Sequence, residues 1–255
     1  MRSVMAVAAN TFREAIRDRV LYLFLGFAVS LLVSSKLFGM LTVGDEGKVI
    51  KDLGLAGIQF FSMLIAVMMS VLLISREVES RTVFNILAKP VRRWQFLIGK
   101  YLGLLMTVAV NLGLMVGLLV AVVWIYQREF DPGLLLAGAM TMLEMALLTA
   151  FATLFSVLTK PILGSVFTLA VFVIGHVSED IWLLTKHLKA AGTRPLIAAV
   201  YYVLPNLERF NFKTEVVHDL AIPLPAVGWA VVYGLAYTSL VLLLACLRFG
   251  RRDLV

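Results

Sequence analysis

Long apolar runs alternate with short polar segments along the whole chain. Six of these runs are about 17–25 residues long, the length that a helix needs to cross a hydrocarbon core about 30 Å thick. Apolar residues are continuous within each run and do not alternate with polar ones, which predicts transmembrane helices and argues against the strands of a barrel. The predicted spans are Val20–Thr42, Leu53–Ser75, Tyr101–Ile125, Leu134–Leu158, Ile162–Ser178 and Ala226–Leu247.

The 19 residues before the first span have a helical pattern of their own. Val4, Phe12 and Ile16 recur at helical spacing, while Arg13 and Arg17 fall on other sides of the helix. A basic amphipathic helix next to a span lies in the membrane interface, where acidic lipid attracts it. The alternative is a plain basic flank with no surface helix.

Residues 76–100 form the most distinctive polar segment, REVESRTVFNILAKPVRRWQFLIGK. Ser80 or Thr82 can cap a short helix, and Pro90 ends it because the residue before a proline avoids the α region. The apolar side of this helix consists of Val83, Ile86 and Leu87. The pattern indicates a short helix held away from the membrane, with a shape that suits a groove on another protein. An ordinary basic loop fits the spacing equally well.

Residues 179–225, between the fifth and sixth spans, are not simply polar. Trp182–Ala191 has a helical pattern that Gly192 can end. Pro195–Leu204 is an apolar run too short to cross the membrane, and such runs are typically interfacial or re-entrant. We therefore expect outer helices that dip back into the membrane. A small extracellular cap packed on itself is the alternative.

Composition excludes an ordinary soluble protein. The 255 residues are 61% hydrophobic and 15% charged, against about 45–50% and about 25% in soluble domains. The single cysteine, Cys246, excludes an internal disulfide. No water-facing segment is large enough to carry out chemistry, and the sequence has no His-Glu-x-x-His or Gly-x-Ser-x-Gly motif. An energy-consuming activity would therefore need a partner chain.

The net charge of +7 reports membrane orientation better than nucleic-acid binding. Most of the 23 Lys and Arg residues fall in residues 1–19, residues 76–100 and the C-terminal tail. Because cytoplasmic loops are enriched in these residues, the pattern predicts that both termini are cytoplasmic. All four tryptophans lie at span edges, as is typical of the headgroup level: Trp94, Trp124, Trp182 and Trp229.

A few polar residues lie inside the predicted spans. Glu144 is near the middle of the fourth span, where an ionisable group is costly and is by default a functional candidate. We assign Glu144, together with Asn111, to a substrate path or a dimer interface. The alternative for Glu144 is a carboxyl group that is simply protonated. Gln59, Ser62 and Asn111 are candidates for hydrogen bonds between helices.

The sequence predicts no metal site. Met140, Met142 and Met145 could serve as soft ligands for Cu(I), but methionine is also an ordinary apolar filler, which we favour here. His176, His187 and His218 are widely separated, and we expect them near or beyond the outer membrane surface.

The order of these parts resembles the membrane subunits of type-2 ATP-binding-cassette transporters, the ABC-2 permeases. Three stretches carry the resemblance, which covers essentially the whole chain: NTFREAIRDRVLY (10–22), REVESRTVFNILAKPVRRWQFLIGKYLG (76–103) and YYVLPNLERFNF (201–212). Within that family the chain is most similar to the branch of multicopper-enzyme maturation permeases.

The resemblance implies a coupling helix in residues 76–100 that sits in a groove of a separate ATPase subunit. Arg81 stands where many family members have glycine. The residues assigned to coupling are Glu79, Thr82, Pro90, Arg92, Arg93 and Lys100. The resemblance also implies a second permease copy or a homologous permease, and ATP with magnesium bound by the partner ATPase, so that no cofactor is expected on this chain.

We therefore expect a single all-α polytopic domain over residues 1–255, in a bacterial-type inner (plasma) membrane. Its expected function is that of an exporter permease with no catalytic residues of its own, coupled to ATP hydrolysis on a partner chain. Two alternatives remain open. One is a non-transporting scaffold or mechanical transmitter driven by an ATPase, and the other is an intramembrane metalloprotease.

The charge distribution gives a direct test of topology. A fluorescent reporter that matures only in the cytoplasm should be active when fused to the C-terminus, because the basic flanks keep both ends inside. A phosphatase that needs the periplasm should be inactive at the same position and active when inserted near Asp45. Phosphatase activity at the C-terminus alone would overturn the predicted orientation.

Overall fold

The structure, a computed structural model, describes residues 2–40, 45–79, 92–128, 130–187 and 204–250. Over these ranges it is helical, with no β-strand. The helices are α1 (Arg2–Ile16), α2 (Arg19–Met40), α3 (Glu46–Glu79), α4 (Arg93–Gln127), α5 (Pro132–Leu158), α6 (Pro161–His187), α7 (Lys213–Val217) and α8 (Leu224–Gly250), with a 3₁₀ turn at Glu208–Phe210.

Five of the helices, α3, α4, α5, α6 and α8, are long and apolar enough to cross a membrane. They contain the second to sixth predicted spans, which confirms those five as membrane-length helices. The first predicted span coincides with α2, but its described apolar stretch, Arg19–Ser34, is shorter than the others. Six spans therefore stay a prediction, whereas five are found.

Several helices run beyond the spans that hydropathy predicts. Helix α3 continues to Glu79 and α4 begins at Arg93, so the connection between them is shorter than the expected 76–100 loop. Its centre, residues 80–91, lies outside the described residues and includes the predicted short helix. Hydropathy marks only the part of a helix that lipid surrounds, whereas backbone hydrogen bonding continues into polar sequence.

The region after the fifth predicted span also differs from expectation. Helix α6 continues without a break from Pro161 to His187, so Trp182 belongs to the same helix as the span and does not begin a separate one. Residues 188–203, which hold most of the run predicted to be re-entrant, lie outside the described residues.

After that gap, the chain from Leu204 to Val217 packs into the bundle. Leu207, Phe210 and Phe212 are buried in an apolar cluster that also contains Leu147 of α5. The Leu207 backbone N–H donates to the Gly175 carbonyl of α6 at 3.0 Å. This segment therefore fills the space between α5, α6 and α8 from one end of the bundle.

Helix α1 packs lengthwise against the first half of α4. Its side formed by Ala8, Thr11 and Ala15 is buried. A Cβ at Gly103 would lie 2.5 Å from the Ala8 carbonyl oxygen, and one at Gly99 would also collide with α1. Small residues thus permit a close approach of the two helices. The amphipathic helix expected at the N-terminus is present, and its buried side faces α4.

The two chain ends meet at one end of the bundle. Phe96 at the start of α4 stacks on Phe249 at the end of α8, with ring centroids 6.1 Å apart. The Arg93 guanidinium donates to the Gly250 carbonyl at 3.2 Å. Since α1 packs on the same part of α4, residues near both termini lie at the end of the bundle from which the 80–91 connection departs.

The close approach of α1 and α4 can be tested with two alanine substitutions in the same helix. Gly103→Ala should lower the unfolding temperature in detergent, because its methyl group overpacks the α1 contact at a cost of about 1–3 kcal/mol. Gly113→Ala is the matched control, since no described atom lies within 4 Å of its added Cβ. That variant should be neutral or slightly stabilising. Equal effects of the two variants would contradict the packing.

Candidate functional site

Glu144 lies near the middle of α5, and its side chain is 1% exposed. It is 12 residues from the start of the helix at Pro132, about 18 Å along the axis. An ionisable group at such a depth requires polar partners from other helices, since neither lipid nor apolar side chains can supply the hydrogen bonds that water would make. The structure provides these partners from α3 and α6.

Gln59 of α3 and His176 of α6 converge on the Glu144 carboxyl group. The Gln59 Nε2 donates to Glu144 Oε2 at 3.0 Å and lies 2.9 Å from His176 Nε2. His176 Nε2 is 3.4 Å from the other carboxyl oxygen, Glu144 Oε1. Three helices that are far apart in sequence thus contribute one polar side chain each to a single cluster, which we call the Glu144 cluster.

The Glu144 cluster borders a small cavity of about 10 Å³. This volume is about the least that can hold one water molecule. Thr141 lines it beside Glu144, and Phe210, Asn211 and Lys213 close it from the segment that follows α6. Residues 210–213, which we call the wall segment, therefore form one wall of the candidate site.

Ion pairs hold this wall in place at the end of the bundle away from the termini. Lys51 of α3, whose side chain is 4% exposed, lies 2.7 Å from Asp131 Oδ2 and 2.9 Å from Asp219 Oδ1. Asp131 also caps α5, since its Oδ1 accepts the Gly133 N–H at 2.8 Å. Lys213 forms a second bridge to Asp52 of α3 at 2.9 Å. The segment after α6 is thus fastened to α3 at two points.

Asp219 shows the conformational cost of this arrangement. Its φ of 52° lies in the left-handed region, which a non-glycine residue seldom adopts. Asp219 pairs with Lys51 at the point where the chain turns from α7 towards α8.

The predicted coupling residues other than Lys100 fall into three groups. Arg92 and Arg93 stand at the start of α4, where Gln95 Oε1 accepts the Arg92 backbone N–H at 3.1 Å. Glu79 is the last residue of α3. Thr82 and Pro90 lie outside the described residues.

Lys100, assigned to the coupling stretch, has a different environment from its neighbours. Its side chain is 1% exposed, and its Nζ lies 3.3 Å from Glu14 Oε2 of α1 and 6.0 Å from the Phe96 ring centroid. It therefore ties the N-terminal helix to α4. Its part in coupling stays a prediction.

The hydrogen bonds expected between helices are found for Gln59 but not for Asn111. Asn111 Nδ2 donates to the Thr107 carbonyl one turn earlier in its own helix, at 2.8 Å. Ser62 Oγ donates to Met115 Sδ on α4 at 3.9 Å, a long hydrogen bond between helices. Asn111 is buried within the chain, and its assignment to a substrate path or dimer interface stays a prediction.

Sequence reasoning missed His176. We expected it near or beyond the outer surface, and its depth in the membrane stays a prediction. The structure places its ring, partly buried, beside Glu144, with Nδ1 3.0 Å from the Phe172 carbonyl. Hydropathy ended the fifth span at Ser178, while α6 continues to His187. A usable signal was that Gln59, Glu144 and His176 are isolated polar residues in apolar helical runs, and such residues tend to pair with one another.

The methionines of α5 pack as apolar side chains. Met145 is fully buried in the apolar cluster around α3, and Met140 in the cluster around Phe210. This placement agrees with their interpretation as filler residues.

Comparison with known proteins gives one clear match. The model of the ABC-2 family transporter proteins matches residues 5–254, nearly the whole chain. No curated protein matches the sequence.

The buried bridge of Lys51 predicts a stability difference between two lysines in one helix. Lys51→Ala should lower the free energy of unfolding by at least about 1 kcal/mol, because it leaves the Asp131 and Asp219 carboxylates without their shared cation. Lys48→Ala removes only an exposed bridge to Asp45 and should cost about 0.5 kcal/mol or less. Chemical denaturation of the purified variants measures both, and equal losses would show that the bridge has no special role.

Proposed function

The chain belongs to the ABC-2 family of transporter proteins, and we propose that it is the membrane-spanning permease subunit of an ATP-driven exporter. The family match over residues 5–254 carries this proposal, and the bundle of membrane-length helices supports it. ATP and magnesium are bound by a separate ATPase subunit in this proposal, and the chain itself has no catalytic residues.

Coupling is proposed to enter through the connection between α3 and α4. These helices have 34 and 35 residues, so that each is about 50 Å long and exceeds the thickness of a hydrocarbon core. Both approach residues 80–91 as continuous helices, with Glu79 on one side and Arg92 on the other. Long helices move as rigid bodies, which suits them to carry a displacement from a partner ATPase into the membrane.

Helix α3 joins the 80–91 connection to the Glu144 cluster. It ends at Glu79, and five turns earlier it contributes Gln59 to the hydrogen bond with Glu144. Closer to the start of the same helix, Lys51 pairs with Asp219, which follows α7 and the cavity wall. A shift or tilt of α3 would therefore act on the cluster and the wall together.

Helix α1 adds a second mechanical link in this proposal. Lys100, about two turns into α4, holds Glu14 of α1, and Gly99 and Gly103 let α1 approach closely. Movement of the start of α4 would therefore carry α1 with it. Both would lie at the cytoplasmic face if the termini are cytoplasmic.

A complete substrate path is proposed to require two permease copies or a homologous pair. The cavity beside Glu144 has room for about one water molecule and cannot hold an organic substrate within one chain. We assign Glu144 to the path or the dimer interface, and Asn111 with it. The branch of multicopper-enzyme maturation permeases and a bacterial-type inner membrane are proposed from the sequence resemblance alone.

The coupling proposal is tested with a double variant, Glu79→Ala with Thr82→Ala. The permease is co-purified with an ATP-binding-cassette ATPase that forms a complex with it, and stimulation of ATP hydrolysis is measured in lipid vesicles. We expect stimulation to fall at least about fivefold, the lower range of typical coupling energies. Asp45→Ala with Lys48→Ala, at the other end of α3, is the matched control and should keep full stimulation.

Two outcomes would contradict the proposal in different ways. Equal stimulation by the double variant and the wild type would place coupling elsewhere in the chain. Normal stimulation without any export by the wild-type complex, across lipid-like, peptide and drug-like cargo, would favour a mechanical transmitter over an exporter.

A further inference from the structure

The hydrogen-bond arrangement of the Glu144 cluster fixes the form of its histidine. His176 Nδ1 lies 3.0 Å from the Phe172 carbonyl oxygen, which can only accept, so Nδ1 carries a hydrogen. The other ring nitrogen, Nε2, lies 2.9 Å from the Gln59 Nε2 amide and accepts from it. In this arrangement the imidazole is neutral.

The same Gln59 amide group also serves Glu144. Its two hydrogens go to Glu144 Oε2 at 3.0 Å and to His176 Nε2 at 2.9 Å. Both amide hydrogens are then used, and among the described residues none donates to Glu144 Oε1, although this atom is buried. A buried carboxyl oxygen without a donor is costly.

One proton would relieve this deficit. Glu144 Oε1 and His176 Nε2 are 3.4 Å apart and face each other. A proton on either atom points at the other, which satisfies Oε1 and releases the Gln59–His176 hydrogen bond. It also changes the net charge of the pair from −1 to zero, and the neutral state is the cheaper one in a low-dielectric interior.

We propose that Glu144 and His176 together bind a single proton, and that Gln59 holds the site in its alternative, proton-free arrangement. The site takes no second proton, because the pair would then carry a buried net positive charge. This inference needs only the described contacts and does not rest on the proposed transport function.

The surrounding charges are compatible with such a site. Lys213 lines the cavity beside Glu144. Within the described residues, the titratable groups that α4 and α8 place against α5 and the wall segment are the phenols of Tyr101, Tyr233 and Tyr237. The cavity beside Glu144 is just large enough for one water.

The proton count can be measured on the full-length permease in lipid nanodiscs, without an ATPase. Nitrogen NMR of the imidazole rings reports the protonation of each of the three histidines. The His187→Gln and His218→Gln variants assign the signals to individual residues. Infrared difference spectra between the wild type and Glu144→Gln report whether Glu144 is a carboxylic acid or a carboxylate. Near neutral pH we expect the pair to hold one proton in addition to the hydrogen on His176 Nδ1. A count of zero or two such protons would overturn the proposal.

A variant of Gln59 distinguishes this proton site from a purely structural cluster. Gln59→Met removes the donor that stabilises the proton-free arrangement, so the proton affinity of the pair should rise about tenfold, the equivalent of one net hydrogen bond. Ser62→Ala, one turn away on α3, is the matched control and should leave the affinity unchanged. An unchanged or lower affinity in Gln59→Met would overturn the role of Gln59.

Should Glu144→Gln fail to fold, Glu144→Asp provides the infrared reference. The shorter acid shifts the frequency of the carboxyl band, which identifies the band that belongs to residue 144. His187 and His218 serve as internal references in every spectrum, since His187 ends α6, about 16 Å along the helix from His176, and His218 follows α7. A titration shift of all three histidines together would reveal a general change in the protein and would contradict a local site.

Discussion

The hydrogen bond between Gln59 and Glu144 brings together the helices that form the centre of the molecule. A carboxyl group 1% exposed in the middle of a membrane-length helix has to find its polar partners inside the protein. The partners come from α3 and α6, so the requirement of one residue fixes the relative depth of three helices. Apolar packing around Met145 and Leu147 excludes lipid from the cluster but does not by itself set that register.

The two ends of the bundle are held by different interactions. At the end near the termini, α1, α4 and α8 meet through small residues and rings, with Gly103 against Ala8 and Phe96 on Phe249. At the other end, Lys51 joins the α5 cap at Asp131 to the turn at Asp219. Helix α3 takes part in the centre and in this second end, which makes it the element through which a movement would reach both.

This arrangement gives the proposed permease a physical basis for coupling. A partner ATPase acting on the connection after Glu79 would move a helix that already bears the hydrogen bond to Glu144 and the bridge to the wall segment. The Glu144 cluster has two hydrogen-bond arrangements that differ by one proton, and bistable elements of this kind respond to small displacements. Because the cluster lies within one chain, proton binding can be measured on the permease alone, without an ATPase and without transport.

The sequence alone determined the class of the protein, the position of five membrane-length helices and the amphipathic helix at Arg2–Ile16, because hydropathy and helical period are local properties. It also singled out Glu144 and Gln59 as costly polar residues in apolar runs. Only the tertiary structure decided that His176 joins them, that Asn111 bonds within its own helix and that Lys100 faces Glu14. Such partnerships depend on the depth and rotation of helices far apart in the chain, which packing sets and a one-dimensional pattern does not contain.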